Sequence, residues 1–216
     1  MRVGVVLASA AALTGSGITA QPPLADWRIE AESRDARVTE RRGEIDIDTP
    51  KGLTLWWIKP ITAPTRITFE AMAISAGGPN DSVSDLNAFW MATNNDGSSV
   101  LSRRRSGAFA AYDDLRTYYV GIGGNRNTTT RFRRYIGVPG NRPLLPEHDK
   151  AGPANGLAPN RWTRIALIAD GRTVAVARDG QPLFALDDPR PYTRGHWGLR
   201  TTWSHLRIRR VAVTHL

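Results

Sequence analysis

Hydrophobic and polar residues alternate in short runs along most of the chain. Trp27–Ala31 (WRIEA) and Glu44–Asp48 (EIDID) alternate strictly, and Leu53–Ile58 (LTLWWI) follows a Lys51-Gly52 turn as an aromatic, β-branched run. A period of two sends successive side chains to opposite faces, so each run predicts a strand. Thr65–Ile74 is the longest, with Ile67, Phe69, Ala71 and Ala73 on one side and Thr68, Glu70 and Met72 on the other. Asp85–Ala92 (DLNAFWMA) is strand-like and runs into the turn Asn94-Asn95-Asp96-Gly97. A basic loop around Arg103–Arg105 comes next, then Tyr118–Tyr135 (YYVGIGGNRNTTTRFRRY), which reads as two strands about a GNRN turn. A long Pro-, Gly- and Asn-rich loop spans Gly137 to Asn160. Trp162–Ala169, Thr173–Arg178 and Pro182–Ala185 are then separated by the hairpin dipeptides Asp170-Gly171 and Asp179-Gly180. Gly195–Thr201 and Leu206–His215 close the chain, and no amphipathic helix longer than two turns, internal repeat or domain linker interrupts it. About a dozen short strands predict an all-β fold, a two-sheet antiparallel β-sandwich of jelly-roll type.

The first residues change the picture of where the protein acts. Met1-Arg2 gives a positive start, Val3–Leu13 is apolar, and small and polar residues end at Ala20. This is the pattern of a secretory signal peptide over residues 1–20, with a single domain over 21–216 in the periplasm or outside the cell. The apolar run is too short to span a bilayer. The chain has no cysteine, which excludes disulfide staples, lipid attachment through a thiol and thiol catalysis. Its formal charge is +9, carried almost wholly by arginine. In an exported protein that charge favours an acidic polysaccharide or oligosaccharide over nucleic acid. No membrane partner is expected after cleavage, and a monomer is.

Candidate chemistry centres on the Tyr118–Tyr135 hairpin. Alternation puts Arg131, Arg133 and Tyr135 on one face of its second strand, and Thr130, Phe132 and Arg134 on the other. A guanidinium offers a planar fork of donors, and a phenol a stacking surface with a hydroxyl, which suits an anionic, hydroxyl-rich ligand. Two reactions compete. Hydrolysis needs two carboxylates flanking the bond, and the candidates are Glu70, Asp85 and the Glu147/Asp149 pair. β-Elimination from a uronate needs a group to neutralise the carboxylate, a base and an acid. Arg131, Arg133 or Arg200 with Asn87 or Asn125 suit the first task, and Tyr119, Tyr135, His148 or His205 the others. His196 and His215 are expected to be structural. Trp56, Trp57, Trp90 and Trp203 are either core or sugar-stacking residues, with Trp90 placed beside Asp85 and Asn87 as a binding residue. No cofactor is expected, although the loop oxygens of Asp81, Asp85, Asn94, Asn95 and Asp96 allow a structural Ca²⁺.

The W-x-I-E-A start, the L-W-W strand end, T-R-I-T-F-E-A, the R-W-T-R-I-A-L segment and the closing G-H-W-G-L-R-T-T-W resemble the concanavalin-A-like lectin/glucanase superfamily over roughly residues 27–214. Asp85-Leu86-Asn87-x-Phe89-Trp90, the hairpin and Arg142–Asp149 (RPLLPEHD) resemble a bacterial jelly-roll family related to pectin and rhamnogalacturonan utilisation proteins. The resemblance implies a sheet whose groove holds a glycan. The glucanase branch's E-x-D-x-x-E signature is missing. The expected function is therefore action on a uronate-containing glycan, by a polysaccharide lyase first, with a non-catalytic binding protein or a two-carboxylate hydrolase as alternatives.

Overall fold

A computed structural model describes residues 21–216, and the expected signal peptide lies outside the described residues. Two antiparallel sheets face each other. The larger runs in the order β1 (Trp27–Ala31), β4 (Leu53–Trp57), β14 (Arg194–Thr201), β7 (Leu86–Asn94), β8 (Leu115–Gly123), β9 (Thr129–Ile136) and β10 (Asp149–Ala151), and β5 (Ile61–Thr62) pairs β14. The smaller runs β13 (Gln181–Asp187), β12 (Thr173–Arg178), β11 (Thr163–Ala169), β6 (Thr65–Ala73), β15 (Ser204–His215), β3 (Glu44–Thr49) and β2 (Arg37–Arg41). The predicted jelly-roll sandwich is what forms.

The core follows from alternation. Ile45 and Ile47 of β3, and Ile67, Phe69, Ala71 and Ala73 of β6, meet Leu86, Ala88 and Trp90 of β7 and Tyr118, Val120 and Ile122 of β8. Trp27, Trp57, Trp197 and Phe69 form an aromatic knot, with ring centroids 5.0 to 6.1 Å apart.

β7 is buried on both faces, which explains why DLNAFWMA reads as nearly continuous apolar sequence rather than clean alternation. Its outer face is covered by a strap, residues 98–114, which links β7 to β8 and reaches across to Glu30 of β1. Val100 and Tyr112 of the strap join Trp56, Phe89, Leu115, Tyr119 and Tyr135 of the sheet in a second apolar cluster. The loop expected over 137–160 contains β10 and brief 3-10 turns. Three residues, DKA, are too few to carry a periodic signal.

Candidate functional site on the outer face of the larger sheet

Strand register lines up two rows of side chains across the outer face. The polar row reads Glu30, Thr54, Arg200, Asn87, Gly121, Arg131 and Asp149, each the cross-strand partner of the next. The aromatic row reads Arg28, Trp56, Gly198, Phe89, Tyr119 and Arg133. Cross-strand partners sit close enough to interact directly. Gly198 is required there, because a Cβ would come 2.6 Å from the Trp56 ring.

Gly121 forms the floor of the polar row. A Cβ on it would lie 2.8 Å from the Tyr119 hydroxyl and 2.9 Å from Asn87 Oδ1, so both groups converge above the glycine. Asn87 Nδ2 donates to Asp85 Oδ1 at 3.4 Å, and Asp85 also accepts from the Ser84 hydroxyl. Asp85 holds a left-handed backbone, φ 58°, at the start of β7, where its N–H donates to the Gly123 carbonyl. Buried Asn87 Oδ1 and the Tyr135 hydroxyl have no hydrogen-bond partner among the described residues. Such atoms are rare in native proteins and ask for an occupant.

The four arginines divide into two kinds. Arg131 is neutralised by a two-pronged pair with Asp149, 2.8 and 3.2 Å, and Arg142 by another with Asp113, 2.6 and 2.9 Å. Arg133 and Arg200 have no carboxylate within 4.0 Å among the described residues. Among the described residues Arg133 donates only to the Arg142 carbonyl, and Arg200 to Thr54 Oγ1 (3.1 Å) and the Gly107 carbonyl (2.6 Å). Burial pushes both guanidinium pKa values down, which is the cost of holding a cation without a counter-ion. Burial pushes Asp85 up, only partly offset by Ser84, Asn87 and Arg200. Burial, with Tyr135 and Asp85 nearby, drives the Tyr119 hydroxyl well above its ordinary value. The site therefore carries excess positive charge, a carboxylate more basic than an ordinary one and a phenol that keeps its proton.

The strap sets the shape. Glu30, 3% exposed, accepts from Arg28 (2.7 Å), Trp56 Nε1 (3.0 Å), the Tyr112 hydroxyl (3.0 Å) and the Arg105 backbone N–H (3.0 Å). Phe109, on the strap, packs against Tyr119 at 5.7 Å and takes the Arg142 and Arg200 guanidinium groups at 4.2 and 5.1 Å. His196 is buried, bonded to Ser99 of the strap (2.9 Å) and to the Trp57 carbonyl (3.1 Å), as its expected structural role requires.

Of the residues expected at a site, Asp85, Asn87, Tyr119, Arg131, Arg133, Tyr135, Asp149 and Arg200 share this face. The others do not. His148 is buried at the edge of the inter-sheet core, edge-on to Phe132 at 4.8 Å, with Nε2 bonded to the Ala185 carbonyl. Trp90 lies in the core against Tyr118 and Phe132. Glu70 is on the outer face of the other sheet, where bonds from Arg209 (2.8 Å) and Arg210 (2.9 Å) outweigh burial and hold its pKa down. His205 is on that same far face, bridging Asp81 (2.9 Å) and Asp46 (3.0 Å). Asn125 is exposed in the hairpin turn, bonded to Thr129. Phe109, Arg142 and Glu30 went unselected: the first two lie in loops without periodicity, and Glu30 reads as an ordinary solvent-facing strand residue.

Among the described residues no three His, Asp or Glu side chains gather as a metal site. The loop oxygens considered for Ca²⁺ are dispersed: Asp81 binds His205, Asp96 caps the Ser98 turn and Asn94 holds the strap.

A stability prediction follows from Asp85. Its folded pKa lies above the ordinary 3.8, so below that value both states are protonated and it contributes nothing. As pH rises past 3.8 the unfolded chain ionises while the folded one resists, and stability falls until the folded pKa is passed. Asp85→Asn should raise Tm at neutral pH and leave it unchanged in strong acid. An equal shift at both would remove titration as the cause.

DUF6250, described as a domain of unknown function, matches residues 47–211. The chain belongs to the DUF6250 family. No curated protein sequence matches it. In structure it is similar to a protein of unknown function with a galectin-like fold from Bacillus subtilis, at TM-score 0.68 and 17% identity, covering 89% of this chain and 90% of that one. The carbohydrate binding module CBM66 from Bacillus subtilis aligns at TM-score 0.59 and 7% identity over 87% and 94%. The carbohydrate recognition domain of Emp46p, in metal-free form, aligns at 0.60 and 12% over 89% of each chain. At these identities the likeness places this DUF6250 member in the galectin- and concanavalin-like lectin fold, and the pectin-related proteins have no counterpart among these neighbours.

Proposed function

We propose that this DUF6250 protein binds a uronate-bearing saccharide on the outer face of its larger sheet and cleaves it by β-elimination. One observation carries the reading: Arg133 and Arg200, both desolvated and without carboxylate partners among the described residues, lie on the two adjacent rows of one face, Arg200 across from the unpartnered Asn87. A buried cation without a counter-ion is costly unless a ligand supplies the negative charge. A sugar carboxylate does so. Placement of the protein in the periplasm or outside the cell, as its first residues suggest, is part of the proposal.

The opposed environments of Asp85 and Tyr119 fit the division of labour in elimination. The two guanidinium groups stabilise the charge that builds on the carboxylate as the C5 proton leaves. Asp85, a stronger base than an ordinary carboxylate because it is buried, takes that proton. Tyr119, held neutral, gives its proton to the departing glycosidic oxygen. Hydrolysis is less well supported, since Glu70 is on the other sheet and Asp149 is tied to Arg131. Binding without turnover is the second reading, favoured by two structural neighbours, a carbohydrate binding module and a carbohydrate recognition domain.

Calorimetry and ultraviolet absorbance on a panel of galacturonate-, alginate- and glucuronate-containing oligosaccharides test this. Rising absorbance from the new C4–C5 double bond is expected. Heat of binding without new absorbance or new reducing ends would leave the binding reading. New reducing ends without absorbance would overturn elimination, and no binding across the panel would overturn the acidic-saccharide reading itself.

A further inference from the structure

Exposure along the polar row is uneven. Glu30, Thr54, Arg200 and Asn87 are 3, 0, 3 and 3% exposed, whereas the side chains of Arg131 and Asp149 at the opposite edge are 31 and 36% exposed. At Glu30 and Arg200 the cause is the strap, whose Arg105–Gly107 segment lies over the β1 end of the row. Gly107 seats so closely that a Cβ would stand 2.5 Å from the Glu32 nitrogen, and its carbonyl is tied to Arg200. Arg28 donates to the carbonyls of Val100, Leu101 and Arg103 (3.2, 2.6 and 2.5 Å), and Glu30 takes the Arg105 N–H. The strap is thus fastened by charge-assisted bonds, those of Glu30 and Arg200 buried, which are the strong class. A glycan running across the strands meets an open side at β9–β10 and a wall at β1–β4.

We infer that the site is blind-ended and takes the terminus of an acidic chain, or a short acidic oligosaccharide, rather than the interior of a polymer. The inference rests on the proposed acidic-saccharide reading and adds to it the mode of attack. The terminal residue stops against the strap, with its carboxylate towards half-buried Arg133. The rest of the chain leaves past Arg131 and Asp149. The ion pair at that exit keeps Arg131 from competing for the charge of the terminal sugar.

Binding stoichiometry tests this. The acidic oligosaccharide that binds from the panel above is compared with its parent polymer at high and at reduced chain length, by calorimetry on the full protein. The expected result is one protein per chain at every length, with apparent affinity per uronate falling in proportion as chains lengthen. Several proteins per long chain, with affinity per uronate independent of length, would overturn the inference and leave acidic-saccharide binding intact. Absence of binding at any length would overturn both together, so the two failures are distinguishable.

Discussion

Arg133→Met is expected to weaken binding of an acidic oligosaccharide by about 10- to 100-fold, the worth of one hydrogen bond to a charged group, and to leave Tm nearly unchanged. The guanidinium is half-buried, donates to a single carbonyl and has its pKa pushed down by burial, so the folded state gives up little when it goes. Removing a desolvated cation relieves a cost as it removes a bond, and the two effects oppose. Arg131→Met is the control on the same strand face. Its charge is already matched by Asp149, so its loss should lower affinity far less. His148→Gln should not change affinity, because His148 packs on Phe132 inside the sandwich. Equal losses from the Arg131 and Arg133 substitutions, read by calorimetry, would mean that net charge rather than an unpaired guanidinium recognises the ligand.

That contrast marks what the sequence could reveal. Period-two alternation correctly put Arg131, Arg133 and Tyr135 on one face, because a strand leaves no other choice. Alternation says nothing about which residue stands across a non-local pairing. Asp149 reaches Arg131 only because three residues from a proline-rich loop add a strand at the sheet edge. Alternation also cannot say which sheet a face belongs to. Glu70 was rightly opposite an apolar stripe, yet that stripe belongs to the sheet that lacks the site. His205 failed in the same way. His148 failed differently: flanked by Glu147 and Asp149, it reads as polar surface, but a turn after Pro146 rotates its ring into the core edge. The fold was legible because many local patterns agree on it. The site was legible only in part, because its walls come from the strap and the 137–145 segment, which carry no period.

Glu30 is the residue on which the walls depend, and Glu30→Ala should be the most damaging single change outside the core. WRIEA gives it to the solvent side of β1, and the strap then buries it. Four donors converge on its two oxygens: Arg28 and the Arg105 N–H on Oε1, Trp56 and Tyr112 on Oε2. Truncation takes the acceptor from Trp56 Nε1, the Tyr112 hydroxyl and the Arg105 N–H, and leaves Arg28 with backbone carbonyls alone. Breaking a buried charged contact of this kind costs about 3–5 kcal/mol, or roughly 6–20 °C of Tm in a chain of this size. The strap should loosen before the sandwich does, since the inter-sheet core does not touch Glu30. The variant should therefore become sensitive to an arginine-specific protease at Arg103 and Arg104, both exposed beside the buried Arg105, while far-ultraviolet circular dichroism stays that of a β-sandwich. Glu30→Gln keeps one acceptor oxygen and should fall between the two. A Tm unchanged in Glu30→Ala would mean that Tyr112, Val100 and Phe89 hold the strap by packing alone. The wall of the site would then be an apolar lid rather than a clamp fastened by a buried carboxylate.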